Sequence, residues 1–161
     1  MNYLGIDLGG TNVAAAVVDD AGTILGRASL PTPRGVEPVA DAMAAAAHAA
    51  AVDAGVGWEE IATVGVGSPG TIQPAEGVVK YWSNLDFRDV PLAALLEARL
   101  NKEIHLENDA NAAALGEYAA GAGKGSSSMV AITLGTGVGG GAVLDGKLYT
   151  GFNYAGLEVG H

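Results

Sequence analysis

ENDANAAALGE, at residues 107–117, follows a short apolar run and opens an alanine-rich segment. The run Ile104-His105-Leu106 predicts a β-strand, and the segment from Ala110 predicts an α-helix because alanine and leucine are strong helix formers. Asn108 and Asp109 therefore lie where a strand ends and a helix begins. Their side-chain oxygens can accept hydrogen bonds from the free N–H groups of the first turn, so either residue can cap the helix.

The same junction also suggests a ligand site, because capping accounts for only one of its polar residues. Glu107 precedes Asn108 and Asp109, and all three lie at the carboxyl end of the predicted strand. In α/β folds that edge of the sheet is where ligands bind. An aspartate there can act as a general base when a hydroxyl lies within hydrogen-bond distance. Capping and catalysis are therefore both open at this junction.

Composition narrows the range of partners. The chain has 161 residues, enough for one domain or one and a fraction. Its formal net charge of −10 argues against nucleic acid and anionic membranes, since both carry phosphate charge. It has no cysteine, and hence neither a disulfide framework nor a thiolate metal site. A strand pattern begins by Tyr3 and no apolar run approaches the ~20 residues of a membrane helix, so we expect a cytoplasmic protein without a signal peptide.

Two turns rich in glycine and threonine stand at the start of similar units. The first is Gly9-Gly10-Thr11-Asn12, and the second spans residues 135–141, beginning Gly135-Thr136-Gly137. Each joins two predicted strands and is followed by a hairpin and a third strand. Glycines let the backbone approach a ligand closely, and consecutive N–H groups form anion-binding nests. Neither turn has the Gly-Lys-Ser/Thr sequence of a Walker A loop.

Between the two turns the pattern is that of an α/β protein. Helices are predicted at 36–54 and 91–100, strands at 61–67 and 103–106, and a hairpin at 71–80. In a duplicated α/β architecture the two glycine turns would face each other across a cleft. The phosphates of one nucleotide could then lie between them. Asp7, just before the first turn, could orient a divalent cation through water, because Mg²⁺ binds carboxylates while retaining waters.

Six stretches, in this order along the whole chain, resemble the ROK family of sugar kinases and repressors, and within it the glucokinases. They are residues 5–12 (GIDLGGTN), 67–70 (GSPG), 82–85 (WSNL), 107–117 (ENDANAAALGE), 134–141 (LGTGVGGG) and 158–161 (EVGH). The resemblance implies an α/β fold of the actin-like ATPase (ribonuclease H-like) class, with a mixed sheet and flanking helices. It also implies a first domain at residues 1–121 and, at 122–161, the opening β-meander of a second, similar domain.

By position, the resemblance implies a role for each site residue. Asp7, Gly9, Gly10 and Thr11 match the first phosphate motif, and Gly135, Thr136 and Gly137 match the second. Sugar-contacting positions are matched by Asn84, Asn108, Asp109, Glu158 and His161. Asp109 also matches the catalytic base that takes the proton from the sugar's 6-hydroxyl as it attacks the γ-phosphate.

The implied function is Mg²⁺-dependent phosphorylation of a hexose by ATP, with glucose as the favoured substrate. Fructose, mannose, N-acetylmannosamine and allose kinases share most of these motifs, and users of polyphosphate share them too. Relatives in the family are commonly dimers or tetramers, so the resemblance implies a homo-oligomer.

The sequence departs from the family pattern at its end. The family has Ala-Gly-Glu directly before the element that ends in the histidine. Here Leu157 stands between Gly156 and Glu158, so Glu158 is aligned by its distance to His161. Full-length members continue with a cysteine cluster that binds a structural zinc together with the histidine. His161 is thus a zinc ligand by position only, and we expect zinc only in a longer form. The resemblance implies a truncated chain, inactive or nearly so, that self-associates through unpaired sheet edges.

Two other functions stay open. Repressors of the family carry an added helix-turn-helix before the first strand, whereas this acidic chain begins at that strand. A non-catalytic sugar-binding module would bind sugar without turnover, yet Asp109 and both phosphate motifs are present.

Overall fold

The computed structural model describes residues 1–134, 138–152, 154 and 156–157. Its elements are β1 (Asn2–Leu8), β2 (Asn12–Asp19), β3 (Ile24–Pro31), α1 (Val36–Ala54), β4 (Ile61–Ser68), β5 (Thr71–Gln73), β6 (Val78–Trp82), β7 (Phe87–Val90), α2 (Leu92–Leu100), β8 (Ile104–Asn108), α3 (Asp109–Ala120), β9 (Met129–Leu134), β10 (Val138–Leu144) and β11 (Lys147–Tyr149). Single 3₁₀ turns occupy Trp58–Glu60, Pro74–Glu76 and Ser83–Leu85.

The main sheet has five strands in the order β3-β2-β1-β4-β8. The first three form the predicted antiparallel meander, because short turns join them. β4 and β8 each follow a helix and join in parallel, as crossover connections require. Alternate strand residues such as Leu4, Leu8 and Val13 are buried, in one core with Met43 of α1 and Leu96 of α2.

The other face of this sheet carries α3 and is otherwise open. Glycines Gly5 and Gly65 lie on it, and a Cβ added to either would meet nothing within 4 Å. At Gly67 the situation differs, because a Cβ there would lie 3.5 Å from the Cα of Asp109. The start of α3 is therefore seated directly on the carboxyl end of β4.

A second sheet, ordered β11-β10-β9, packs on the opposite side of α3. The sequence predicts a turn over 135–141, and this is wrong for its second part, because Val138–Leu144 is a strand. The glycines there have a packing reason: a Cβ on Gly141 would lie 2.7 Å from the Cβ of Ala114 and 2.8 Å from the carbonyl oxygen of Ala110. Their missing side chains let α3 approach the strand.

A small sheet, β5-β6-β7, extends the predicted hairpin by one strand. The sequence signal for β7 is weak, since Phe87–Val90 is short and contains two charged residues. Pro91 is the N-cap of α2 and not its first helical residue, which is a shift of one position from the prediction. In the part of the chain that the structure describes, no helix combines the length and the apolar character needed to cross a membrane.

Candidate active site

The β8–α3 junction has the geometry predicted for it. Asn108 is the N-cap of α3, with an extended backbone (φ −63°, ψ 143°). Its Oδ1 accepts hydrogen bonds from the backbone N–H groups of Ala110 at 3.0 Å and Asn111 at 3.2 Å. Oδ1 of Asp109 also accepts from the N–H of Ala110, at 2.8 Å. Asn108 is thus the capping residue, which leaves the role of Asp109 to be explained by something else.

Asp109 is half-buried, and its carboxylate is only partly engaged. One oxygen, Oδ1, is held by the N–H of Ala110. The structure gives the other, Oδ2, no hydrogen bond from any residue in the ranges it describes. A carboxylate with one fixed and one available oxygen is suited to accept a proton from a hydroxyl placed beside it.

Asp7 and Asp109 lie at the same edge of the main sheet. Asp7 pairs with Gly67 of β4, which pairs in turn with Glu107 of β8, so these residues form a row at the carboxyl ends of three parallel strands. Partial burial of its carboxyl raises the pKa of Asp7 above the ordinary value, and the negative charge of Asp109 raises this pKa further. The carboxylate of Asp7 therefore senses the charge of Asp109 across Gly67.

A pocket of about 1040 Å³ opens between the uncovered sheet face and α3. Asp7, Gly67, Glu107 and Asp109 line one end of it, and Thr133 of β9 closes that end from the second sheet. The remainder is lined largely by glycine and alanine. The polar end of this pocket is the candidate active site.

The first glycine turn lies next to this site, and Thr32 stabilises it through two hydrogen bonds. The N–H of Gly9 donates to the carbonyl of Asn12 at 3.0 Å, and a Cβ on Gly9 would lie 2.7 Å from that oxygen, so no side chain fits there. Thr32 donates through its hydroxyl to the carbonyl of Gly9 at 2.7 Å and through its N–H to that of Thr11 at 2.9 Å. Sequence reasoning missed Thr32, which no local motif marks.

Asn84 lies close to the same turn although 74 residues separate it from Gly10. A Cβ on Gly10 would be 3.6 Å from Nδ2 of Asn84 and 3.8 Å from the ring of Trp82. The exposed 3₁₀ turn Ser83–Leu85 carries Asn84 into this position. The structure therefore brings together Asp7, the first glycine turn and Asn84, and places Asn108 and Asp109 at the neighbouring strand end.

The other predicted site residues lie outside the described part of the chain. They are Gly135, Thr136, Gly137, Glu158 and His161. Their implied roles, including the zinc role of His161, stay predictions. Among the described residues there is no group of three or more histidine, cysteine or acidic side chains placed to hold a metal ion.

A buried hydrogen-bond network behind Asp109 escaped the sequence analysis. Oε1 of Glu107 accepts from the backbone N–H of Asn108 at 2.8 Å and from Nδ2 of Asn111 at 3.2 Å. Asn111 is only 3% exposed. No spacing rule marks this pair, because Glu107 lies in β8 and Asn111 lies in α3.

Comparison with known proteins decides the family. The sequence model of the ROK family matches residues 3–161. The chain belongs to the ROK family. A glucokinase from Streptomyces coelicolor is 43% identical over 158 residues, which cover 98% of this chain and 48% of that protein. A glucokinase from Thermotoga maritima is 42% identical over 164 residues, covering 100% of this chain and 50% of the relative.

A solved ROK structure confirms the fold. The crystal structure of a ROK family glucokinase from Streptomyces griseus, in complex with glucose and AMPPNP, superimposes with a TM-score of 0.91 at 40% identity. The match covers 100% of this chain and 50% of that one. The predicted α/β fold of the actin-like ATPase class is thus confirmed. This ROK chain spans about half the length of the relatives it matches.

Proposed function

We propose that this ROK chain supplies the catalytic base and the first phosphate-binding turn of a hexose kinase that transfers phosphate from ATP to glucose. The observation that carries the proposal is the Asp109 carboxylate, held by one oxygen and available through the other, at the same edge of the sheet as Asp7. The likeness to glucokinases supports the substrate class, and the AMPPNP in the Streptomyces griseus structure supports a nucleoside triphosphate as donor.

Asp109 is the general base in this mechanism. Its free Oδ2 accepts the proton of the sugar's 6-hydroxyl while the hydroxyl oxygen attacks the γ-phosphorus of ATP. The bond between the γ-phosphorus and the oxygen of the ADP leaving group breaks. A general base contributes ~10²–10⁴-fold in rate, equivalent to about 3–5 kcal/mol of barrier. The rest of the acceleration comes from positioning and from neutralising phosphate charge.

Asn108 acts as a hydrogen-bond donor to the sugar. Both helix N–H groups that it caps bind its Oδ1, so that oxygen is already used. Nδ2 is therefore the atom that can bind a substrate hydroxyl. Asn84 adds an exposed amide on the other side, beside the first glycine turn.

The first glycine turn binds phosphate through its backbone. Its shape is fixed by Thr32, and Gly10 and Thr11 are exposed, so their N–H groups can face an anion. Asp7 is an oxygen donor of the kind Mg²⁺ prefers, and it would orient the ion through retained waters. The raised pKa of Asp7 fits such a group, because a cation beside it would stabilise the ionised form.

Further parts of the proposal follow from the family. We propose a division into domains at residues 1–121 and 122–161, a second phosphate turn at Gly135-Thr136-Gly137, and sugar contacts from Glu158 and His161. We also propose a homo-oligomer located in the cytoplasm, with zinc bound only in a longer form that supplies cysteines. The alternative functions are a sugar-binding regulator and a non-catalytic sugar-binding module.

A coupled ADP-release assay with ATP, Mg²⁺ and a panel of hexoses tests the function. It is run on the 161-residue chain and on a chimera that joins this chain to the second half of the Streptomyces coelicolor glucokinase. We expect the chimera to phosphorylate glucose and the chain alone to be silent or nearly so. Polyphosphate in place of ATP tests the donor. Sugar binding by the chimera without turnover on any hexose would contradict the kinase and favour a binding module.

A further inference from the structure

We infer that Glu107 and Asn111 are positioning residues that hold Asp109 and Asn108 in place for the proposed phosphoryl transfer. The inference deepens the proposed function and rests on it for its catalytic consequence. Neither residue is among those that the family resemblance assigns to the site. Both are hydrogen-bonded to Asn108. Asn108 in turn shares the backbone N–H of Ala110 with Asp109.

The hydrogen bonds of the junction form one connected set. Oε1 of Glu107 binds the backbone N–H of Asn108 and the side-chain amide of Asn111. Asn108 in turn binds the N–H groups of Ala110 and Asn111, and Asp109 shares the N–H of Ala110. One carboxylate oxygen of Glu107 thus ties the end of β8 to the first turn of α3.

Glycines on both sides let the neighbouring strands pack closely against this turn. Gly67 of β4 lies against Asp109, where an added Cβ would come within 3.5 Å of Cα. On the far side, a Cβ on Gly141 would lie 3.1 Å from the Cα of Asn111, and one on Gly139 would lie 3.2 Å from the Cβ of Ala110. The turn is therefore confined between the two sheets, and the hydrogen bonds of Glu107 set how the side chains of Asn108 and Asp109 are presented within that space.

Stability alone does not explain the presence of Asn111. Its side chain is 3% exposed, and Oδ1 is buried without a hydrogen-bond partner among the residues described. A buried acceptor left unpaired is unfavourable for folding. An apolar residue of similar volume would avoid that, but it would also release the carboxylate of Glu107. The amide of Asn111 therefore contributes its donor to Glu107 while its own oxygen is left without a partner among the residues described.

Four variants separate positioning from simple structural support. Glu107→Gln keeps a carbonyl oxygen that can accept both hydrogen bonds, whereas Glu107→Ala removes it. Asn111→Leu keeps the volume, removes the donor to Glu107 and also removes the unpaired oxygen. Glu103→Ala is the matched control, because Glu103 precedes the same strand and its side chain pairs at 3.7 Å with the exposed His105, away from the junction.

Positioning is read directly on the 161-residue chain by NMR. Three-bond couplings from Cγ of Asp109 to its backbone nitrogen and carbonyl carbon report the χ1 rotamer. We expect a single rotamer in the parent chain, in Glu107→Gln and in Glu103→Ala, and averaged couplings in Glu107→Ala and Asn111→Leu. Unaveraged couplings in both of the latter would overturn the inference whether or not the protein is a kinase.

The catalytic consequence is read on the chimera. We expect kcat to fall about tenfold to a hundredfold in Glu107→Ala and Asn111→Leu, since misplacement by about 1 Å can cost that much, with KM for ATP unchanged within about twofold. Glu107→Gln should keep most of kcat, and Asn111→Leu should melt no lower than the parent. A kcat that follows the melting temperature across all four variants would mean structural support only. An inactive parent chimera would refute the proposed function but would not change what the NMR couplings show about the side chain of Asp109.

Discussion

Gly141→Ala is expected to unseat α3 from the second sheet, and its effect can be worked out from the packing. The new Cβ would lie 2.7 Å from the Cβ of Ala114, 2.8 Å from the carbonyl oxygen of Ala110 and 3.1 Å from the Cα of Asn111. Carbon atoms pack at about 3.5–4.0 Å, so the first of these contacts is too short by about 1 Å. Backbone atoms provide the other two contacts, and they cannot rotate away.

Relief requires α3 and β10 to move apart, which opens the interface along the helix. Overpacking of this kind costs about 1–3 kcal/mol. For a chain of this size each kcal/mol lowers Tm by about 2–4 °C, so we expect a loss of about 2–12 °C in a thermal melt followed by circular dichroism.

Gly116→Ala is the matched control on the same helix. A Cβ at Gly116 would meet nothing within 4 Å, and replacing an exposed helical glycine by alanine gains about 0.5–1 kcal/mol. This variant should therefore melt higher than the parent, while Gly141→Ala melts lower. Equal melting temperatures for Gly141→Ala and the parent would refute the close seating of α3 on β10.

Three further predictions concern the charge, the cap and the exposed sheet. Asp7→Asn should raise Tm at neutral pH, because the raised pKa of Asp7 means that its ionised form destabilises the folded state. The gain in Tm should vanish as the pH falls below 3.8, the ordinary pKa, where Asp7 is protonated in both the folded and the unfolded state. A lower Tm for Asp7→Asn at neutral pH would contradict this. Asn108→Ala should lose about 1 kcal/mol of stability because the helix cap is removed. Asn108→Asp should keep the cap but weaken glucose binding, because it lacks the Nδ2 donor. Undiminished glucose binding by Asn108→Asp in calorimetry would exclude the donor role of Nδ2. Val130, Ile132 and Leu134 of β9 are 58%, 50% and 81% exposed, so the chain should elute above its monomer mass on a sizing column. Ile132→Lys should shift the elution towards the monomer. A parent chain that elutes as a monomer would contradict self-association.

The strand–turn–helix order was predictable from sequence because local signals agree with the fold. The junction at Asn108 and Asp109 is the best case, since a strand-forming run, a capping residue and strong helix formers follow one another directly. The antiparallel meander and α1 follow for the same reason. In these segments the hydrophobic period and the turn residues already specify the element.

What the sequence could not give were the contacts between distant segments. Gly139 and Gly141 read as turn residues, but they lie in a strand because α3 needs the space above them. Thr32, just after β3, hydrogen-bonds to the first glycine turn, and the fold brings Asn84 close to Gly10. Each depends on tertiary packing, which leaves no trace in the local pattern of residues.

The measurement that tests the central claim most directly is the turnover of Asp109→Asn in the chimera, with the dissociation constant for glucose measured in parallel by calorimetry. The substitution keeps the shape and the Oδ1 acceptor while removing the base. If Asp109 takes the hydroxyl proton, kcat should fall ~10²–10⁴-fold and glucose affinity should stay within a few-fold of the parent. A kcat close to that of the parent would contradict the assignment of Asp109 as the general base.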